Sequence, residues 1–106
     1  MGAESLNREF AERSVLAGGG RSLLRLADAL QMINRAAEAG VPIVRVDGFP
    51  LDPNDSRASS GVAADFSAPV ADGHGCWTEA EAFIQERAEG RLGFALTLGA
   101  DPINAA

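Results

Sequence analysis

Three segments of this chain carry residue types that could do chemistry. The first is Asp72-Gly-His74-Gly-Cys76. A thiol beside an imidazole is the raw material of a nucleophilic cysteine site. Residues two apart in a glycine-rich loop have no fixed mutual geometry, however, and an active cysteine normally meets a histidine folded in from elsewhere. This chain has one histidine and one cysteine in total. The segment is therefore expected to be a turn that delivers Trp77 into the core. Structural zinc needs four cysteine or histidine ligands, so no structural metal is expected. A lone thiol also fits a reducing compartment, because it leaves no internal disulfide to form.

The second segment, Asp52-Pro-Asn54-Asp55-Ser56, begins like a calcium loop. The pattern fails at Arg57, where the sharp turn wants glycine, and at Ala63, where the closing acid belongs. Asp, Asn, Pro and Ser are ordinary turn formers, so a solvated loop is the simpler expectation. The third segment is Gly18-Gly19-Gly20. A phosphate-binding loop needs a Gly-Lys-Ser/Thr ending and this chain has no lysine, while a dinucleotide fingerprint needs a strand in front of it. Three glycines carry a high ordering cost and mark a hinge or linker. No catalytic set emerges, and no cofactor is expected.

Charge is the more informative chemistry. The net charge is −6. Residues 1–40 hold five arginines and five acids, whereas residues 41–106 hold four arginines against ten acids. Asp47, Asp52, Asp55, Asp65 and Asp72 cluster in residues 47–72. Such a field repels nucleic acid and attracts basic partners. The bland alternative is that acidic surface serves solubility. Phe49, in Gly48-Phe49-Pro50, reads as a loop-tip anchor among these aspartates, since large aromatics dominate binding hot spots. Trp77 reads as core. No apolar run is long enough to cross a bilayer, and the N-terminus lacks the basic and apolar blocks of a signal peptide, so a cytoplasmic protein without membrane association is expected.

The elements that must position these residues follow from periodicity. Leu23, Leu26, Leu30, Ile33 and Ala37 recur at helical spacing, predicting a helix over 22–39 with Ser22 as N-cap, a stop at Gly40 and no resumption past Pro42. Strands are predicted over 41–47 and 61–67, the latter with Val62, Ala64 and Phe66 inward, joined by a turn-rich loop over 48–60 as an antiparallel hairpin. A second loop covers 67–76. Thr78-Glu-Ala-Glu81 reads as a capping box opening a helix to about Glu89, stopped by Gly90. Leu92–Leu98 is the third strand; its small residues Gly93, Ala95 and Thr97 leave one face open to close approach. Residues 1–17 are weakly helical, either a mobile arm or a docked helix.

The fold class is α+β: two or three helices packed on one face of a small, mainly antiparallel three-stranded sheet, in the order (α)-α-β-β-α-β. Residues 21–100 form the domain, residues 1–20 are a peripheral segment with a glycine-rich hinge, and 101–106 are a tail. The expected core is Leu26, Leu30, Ile33, Val44, Val46, Phe66, Phe83, Ile84, Phe94 and Leu96.

The run Ala-Gly-Val-Pro-Ile-Val-Arg-Val-Asp-Gly-Phe after a helix, then Ala-Asp-Phe-Ser, a Trp-led helix and a Phe/Leu strand, loosely resembles small bacterial immunity proteins of polymorphic toxin systems. The resemblance spans about residues 22–98. It implies a non-enzymatic acidic protein that blocks a cognate basic toxin, and it transfers no individual residue. The charge pattern agrees, because an acidic face both mimics phosphate and speeds association. The expected partner-binding residues are Asp47, Phe49, Asp52, Asp55, Asp65 and Asp72, and the expected partner is another, basic, protein. The alternative is a small-molecule-binding or regulatory domain that uses the space beside Gly93 and Ala95. A small enzyme is the third class.

Overall fold

The computed structural model describes residues 2–17, 21–51, 61–88 and 91–99. Helix α1 spans Ala3–Ala11, strands β1 and β2 span Val15–Ala17 and Arg21–Leu23, and α2 spans Leu26–Ala39. Strands β3 and β4 span Ile43–Pro50 and Val62–Asp65. The short α3 covers Ser67–Ala71, α4 covers Trp77–Gln85 and β5 covers Leu92–Leu98. The main sheet has the order β4-β3-β5, antiparallel throughout, with the helices packed on it. The α+β class and the antiparallel three-stranded sheet are as the periodicity predicted.

Helix α2 ends where expected. Gly40 takes the left-handed conformation, φ 73°, and its N–H and that of Val41 turn back to the carbonyls of Ala37 and Ala36. These two bonds are a Schellman cap. The start differs. Arg25, not Ser22, is the N-cap residue, because Arg21–Leu23 pairs with Val15–Ala17 as a strand instead. Leu24 then exchanges two 2.8 Å backbone hydrogen bonds with Phe94, which ties this hairpin to the β5 edge. The connecting Gly18–Gly20 lies outside the described residues.

The N-terminal segment is not peripheral. Leu6 and Phe10 of α1 are fully buried and belong to the main core cluster. They are four apart on one face of an amphipathic helix, and docking that face on α2 removes both from water. Arg35 of α2 holds Glu9 of α1 at 2.6 Å across the same junction.

The core differs from the periodic expectation in phase. Ala29, Met32, Ile33 and Ala36 are the buried residues of α2, while Leu26 and Leu30 are only partly buried and Ala37 is exposed. The helix is contacted by α1, α4 and β5, and its Ala29 and Ala36 are fully buried. In β3 a register shift between Ile43 and Arg45 puts both Ile43 and Val46 in the core and leaves Val44 partly exposed. A bulge of this kind breaks strict alternation. Val62 lies on the same face as Gly48 and Phe94, as expected, but at the sheet edge it is 40% exposed. Residues 67–71, expected as loop, form α3, and Thr78 lies inside the first turn of α4 with no side-chain cap. The expected stop at Gly90 and the tail 101–106 lie outside the described residues.

Candidate functional site

Residues directly opposite one another in a sheet share a face. The register pairs Val46 with Ala64 and Leu96, and Gly48 with Val62 and Phe94. Those residues face the helices. Arg45 with Asp65 and Thr97, and Asp47 with Ala63 and Ala95, therefore face away from them. Two of the expected site residues, Asp47 and Asp65, are brought together on this outer face, and Arg45 stands between them.

The Arg45 Nε lies 3.0 Å from both carboxylate oxygens of Asp47, and Nη1 lies 3.5 Å from Asp65 Oδ2. Asp65 Oδ1 also accepts from the Ser67 backbone N–H at 2.8 Å and from the Ser67 hydroxyl. The bonds from Ser67, and then Arg45, hold the Asp65 carboxyl below its ordinary range. The Asp47 carboxylate, bonded and close by, raises the Arg45 guanidinium above its usual value. Solvent screens exposed pairs of this kind, so their effect is to fix geometry and to share one cation between two carboxylates rather than to add stability. Arg45 was not among the expected site residues. Its spacing of two from Asp47 in a strand is the signal that identifies the pair.

Phe49 is part of β3, opposite Gly93, because the strand continues to Pro50. It is not at a loop tip. Its ring is half-buried and covers Gly61, where an added Cβ would fall 2.6 Å from ring atom Cε1. Asp72 is exposed at the C-terminal end of α3, on a different element from Asp47. Asp52 and Asp55 lie outside the described residues.

The Asp72–Cys76 segment is a structural turn. Gly75 accepts a hydrogen bond from Ile43 N–H at 2.9 Å, and the Trp77 Nε1 donates to the Val41 carbonyl at 2.7 Å. Trp77 is partly buried against the core, as a core role predicts. Cys76 is buried at a left-handed φ of 61°, and burial, with the Glu79 charge adding to it, pushes its thiol pKa up. A thiol held protonated in this way is a poor nucleophile. His74 is exposed. Among the described residues, no three His, Cys, Asp or Glu side chains gather as metal ligands, and no helix is long and apolar enough to cross a membrane.

The space expected beside Gly93 is filled by the chain itself: an added Cβ would lie 2.6 Å from Leu51 Cδ2 and 2.7 Å from Leu23 Cβ. A cleft of about 300 Å³ does open further along β5, between α1, β2 and α2. Phe10, Leu24, Met32, Phe94 and Leu96 form its apolar wall, with Asn7, Ser14 and Ser22 as polar lining. No ionisable side chain lines it, so the cleft offers packing and neutral hydrogen bonds rather than acid–base chemistry.

Comparison of the chain with protein-family models, with curated proteins and with solved structures gives no match. The fold and the two surfaces described above are therefore the basis for any functional reading.

Proposed function

We propose that this chain is a non-enzymatic, acidic protein-binding domain that takes a basic protein partner, in the manner that the resemblance to immunity proteins implies. The observation that supports this reading most directly is the charge distribution over folded elements. From Gly61 to Ala88 the chain carries Asp65, Asp72, Glu79, Glu81 and Glu86 against Arg87 alone. Arg8 of α1 and Arg35 of α2 are matched to Glu4 and Glu9, and Arg13, just after α1, to Asp28. Arg45 and Arg87 reach Asp65 and Glu86, and the segment from β4 through α4 still carries the larger acidic excess. A partner with a complementary basic face is steered to it and associates faster at low salt.

The test is affinity capture from the native host with wild type and with an Asp65→Asn, Asp72→Asn double variant, followed by association rates at two ionic strengths. A basic partner should be captured by wild type, and its association should slow as salt rises. Equal capture by both forms, with a salt-independent rate, would remove the acidic surface from the interaction.

A second reading, small-molecule binding, is favoured by one observation, the cleft beside β5. Its volume of about 300 Å³ matches the lower end of ligand pockets, roughly 300–1,000 Å³. A neutral, largely apolar ligand fits its wall, and binding there should be indifferent to salt.

A further inference from the structure

The two edges of the main sheet are not equivalent. The β5 edge is met by Leu24, which bonds Phe94 in both directions. The β4 edge is met by no described strand. The hydrogen-bond phase of β4 is set by Phe66, whose N–H donates to the Val44 carbonyl at 2.7 Å. Backbone groups alternate sides along a strand. Val62 and Ala64 therefore bond inward to β3, and the N–H and C=O groups of Ala63 and Asp65 point away from the sheet. Gly61, Val62, Ala63 and Asp65 are all exposed, and Val62 is the one exposed large hydrophobic residue among those described.

We propose that this edge is a docking line, and that an extended basic segment of a partner protein adds to β4 as a fourth strand. The proposal rests on the protein-binding reading and specifies how the partner is held. Main-chain hydrogen bonds to Ala63 and Asp65 supply register, and contact with Val62 supplies apolar burial. Charge selects the occupant. An incoming strand runs past Asp65, whose carboxylate is shared with Arg45, toward α3 and the exposed Asp72 at its end, and the net charge of −6 favours arginine or lysine on the arriving chain. A second copy of this protein is disfavoured, because each copy carries a net charge of −6. Antiparallel self-pairing of two β4 edges would also bring two Asp65 side chains to one four-residue ladder.

The edge allows a selective test. Proline at an edge position whose N–H faces outward removes a docking donor without removing a ladder bond. The probe is a capped peptide of about eight residues alternating arginine with valine and threonine, with a glutamate-for-arginine peptide as control. The basic peptide should bind wild type, slow amide exchange at Ala63 and Asp65 but not at Val62 and Ala64, and lose at least about tenfold in affinity to Ala63→Pro, the penalty of a blocked strand addition. The acidic peptide should not bind. The exchange pattern is read on wild type alone, so the test survives a variant that does not fold. Binding that leaves exchange at Ala63 and Asp65 unchanged, or no binding, would overturn the edge assignment. A dimer of the protein alone that Ala63→Pro dissolves would overturn it in favour of a second copy. A native partner held equally well by Ala63→Pro would overturn the docking line and leave the protein-binding reading standing.

Discussion

The Trp77 indole donates a 2.7 Å hydrogen bond to the carbonyl oxygen of Val41, joining the first residue of α4 to the segment just after α2. The same indole lies over Gly75, where an added Cβ would fall 2.3 Å from ring atom Cη2. The turn before α4, the end of α2 and the start of β3 therefore lock through one side chain. Replacing Trp77 with Phe keeps most of the apolar contact and removes the donor. We expect a loss of about 1–3 kcal/mol, the cost of leaving a buried acceptor unpaired. Gly75→Ala should cost a similar amount, about 1–3 kcal/mol, by overpacking against the ring. Urea unfolding of both variants checks this; a change near zero in both would mean that the indole is not held against this turn.

Helix α1 belongs to the core, so its large residues should behave as core residues. Phe10→Ala is expected to cost about 3–5 kcal/mol and Leu6→Ala about 2–5 kcal/mol, the ranges for buried side chains that leave a cavity. Deleting residues 2–11 should abolish or broaden cooperative unfolding in calorimetry. Unchanged cooperativity after the deletion would show that α1 is an accessory.

The phase of α2 can be read from a pair of substitutions. Ile33 is fully buried and Leu30 only partly so. Ile33→Ala should fall in the range of about 2–5 kcal/mol, and Leu30→Ala should cost clearly less. The reverse order would restore the leucine face as the core face.

Asp65 makes stability depend on pH at the acid end. Its carboxyl titrates lower in the folded protein than in the unfolded chain, chiefly because Ser67 donates to it. The unfolded state then binds the proton first as pH falls. The stabilisation is complete above the unfolded-state value, about 3.9 for Asp, and is lost as pH drops through the lowered folded value. Asp65→Asn should flatten that part of the profile. Carboxyl carbon shifts followed by NMR would report the titration directly, and a midpoint at or above the ordinary Asp value would contradict it.

Cys76 should be inert in the native state. It is buried, and its thiol is held protonated by burial and by Glu79. Reaction with a disulfide reagent at neutral pH should wait for unfolding, so its rate should track denaturant. Rapid labelling of the native protein would show an accessible thiolate instead.

The local elements were legible because their signals are local. A stripe of leucines, a glycine where a left-handed residue must end a helix, and alternating Leu and Phe in β5 each act within one turn or one strand, which is why α2, β3, β4, α4 and β5 appear at nearly their predicted places. The short hairpin of β1 and β2 was not legible: three-residue strands have almost no period, and Leu24 joins β5 only because Phe94 arrives from seventy positions away. The candidate site was half legible. Asp47 and Asp65 could be named from charge alone, but sharing one arginine depends on the register that puts Arg45 opposite Asp65. Charge and periodicity along the chain thus determined the class of fold and the sign of its surface. Which face of α2 is buried, which acids are paired and which sheet edge is met by no described strand were decided by tertiary packing, because each depends on what a distant segment covers.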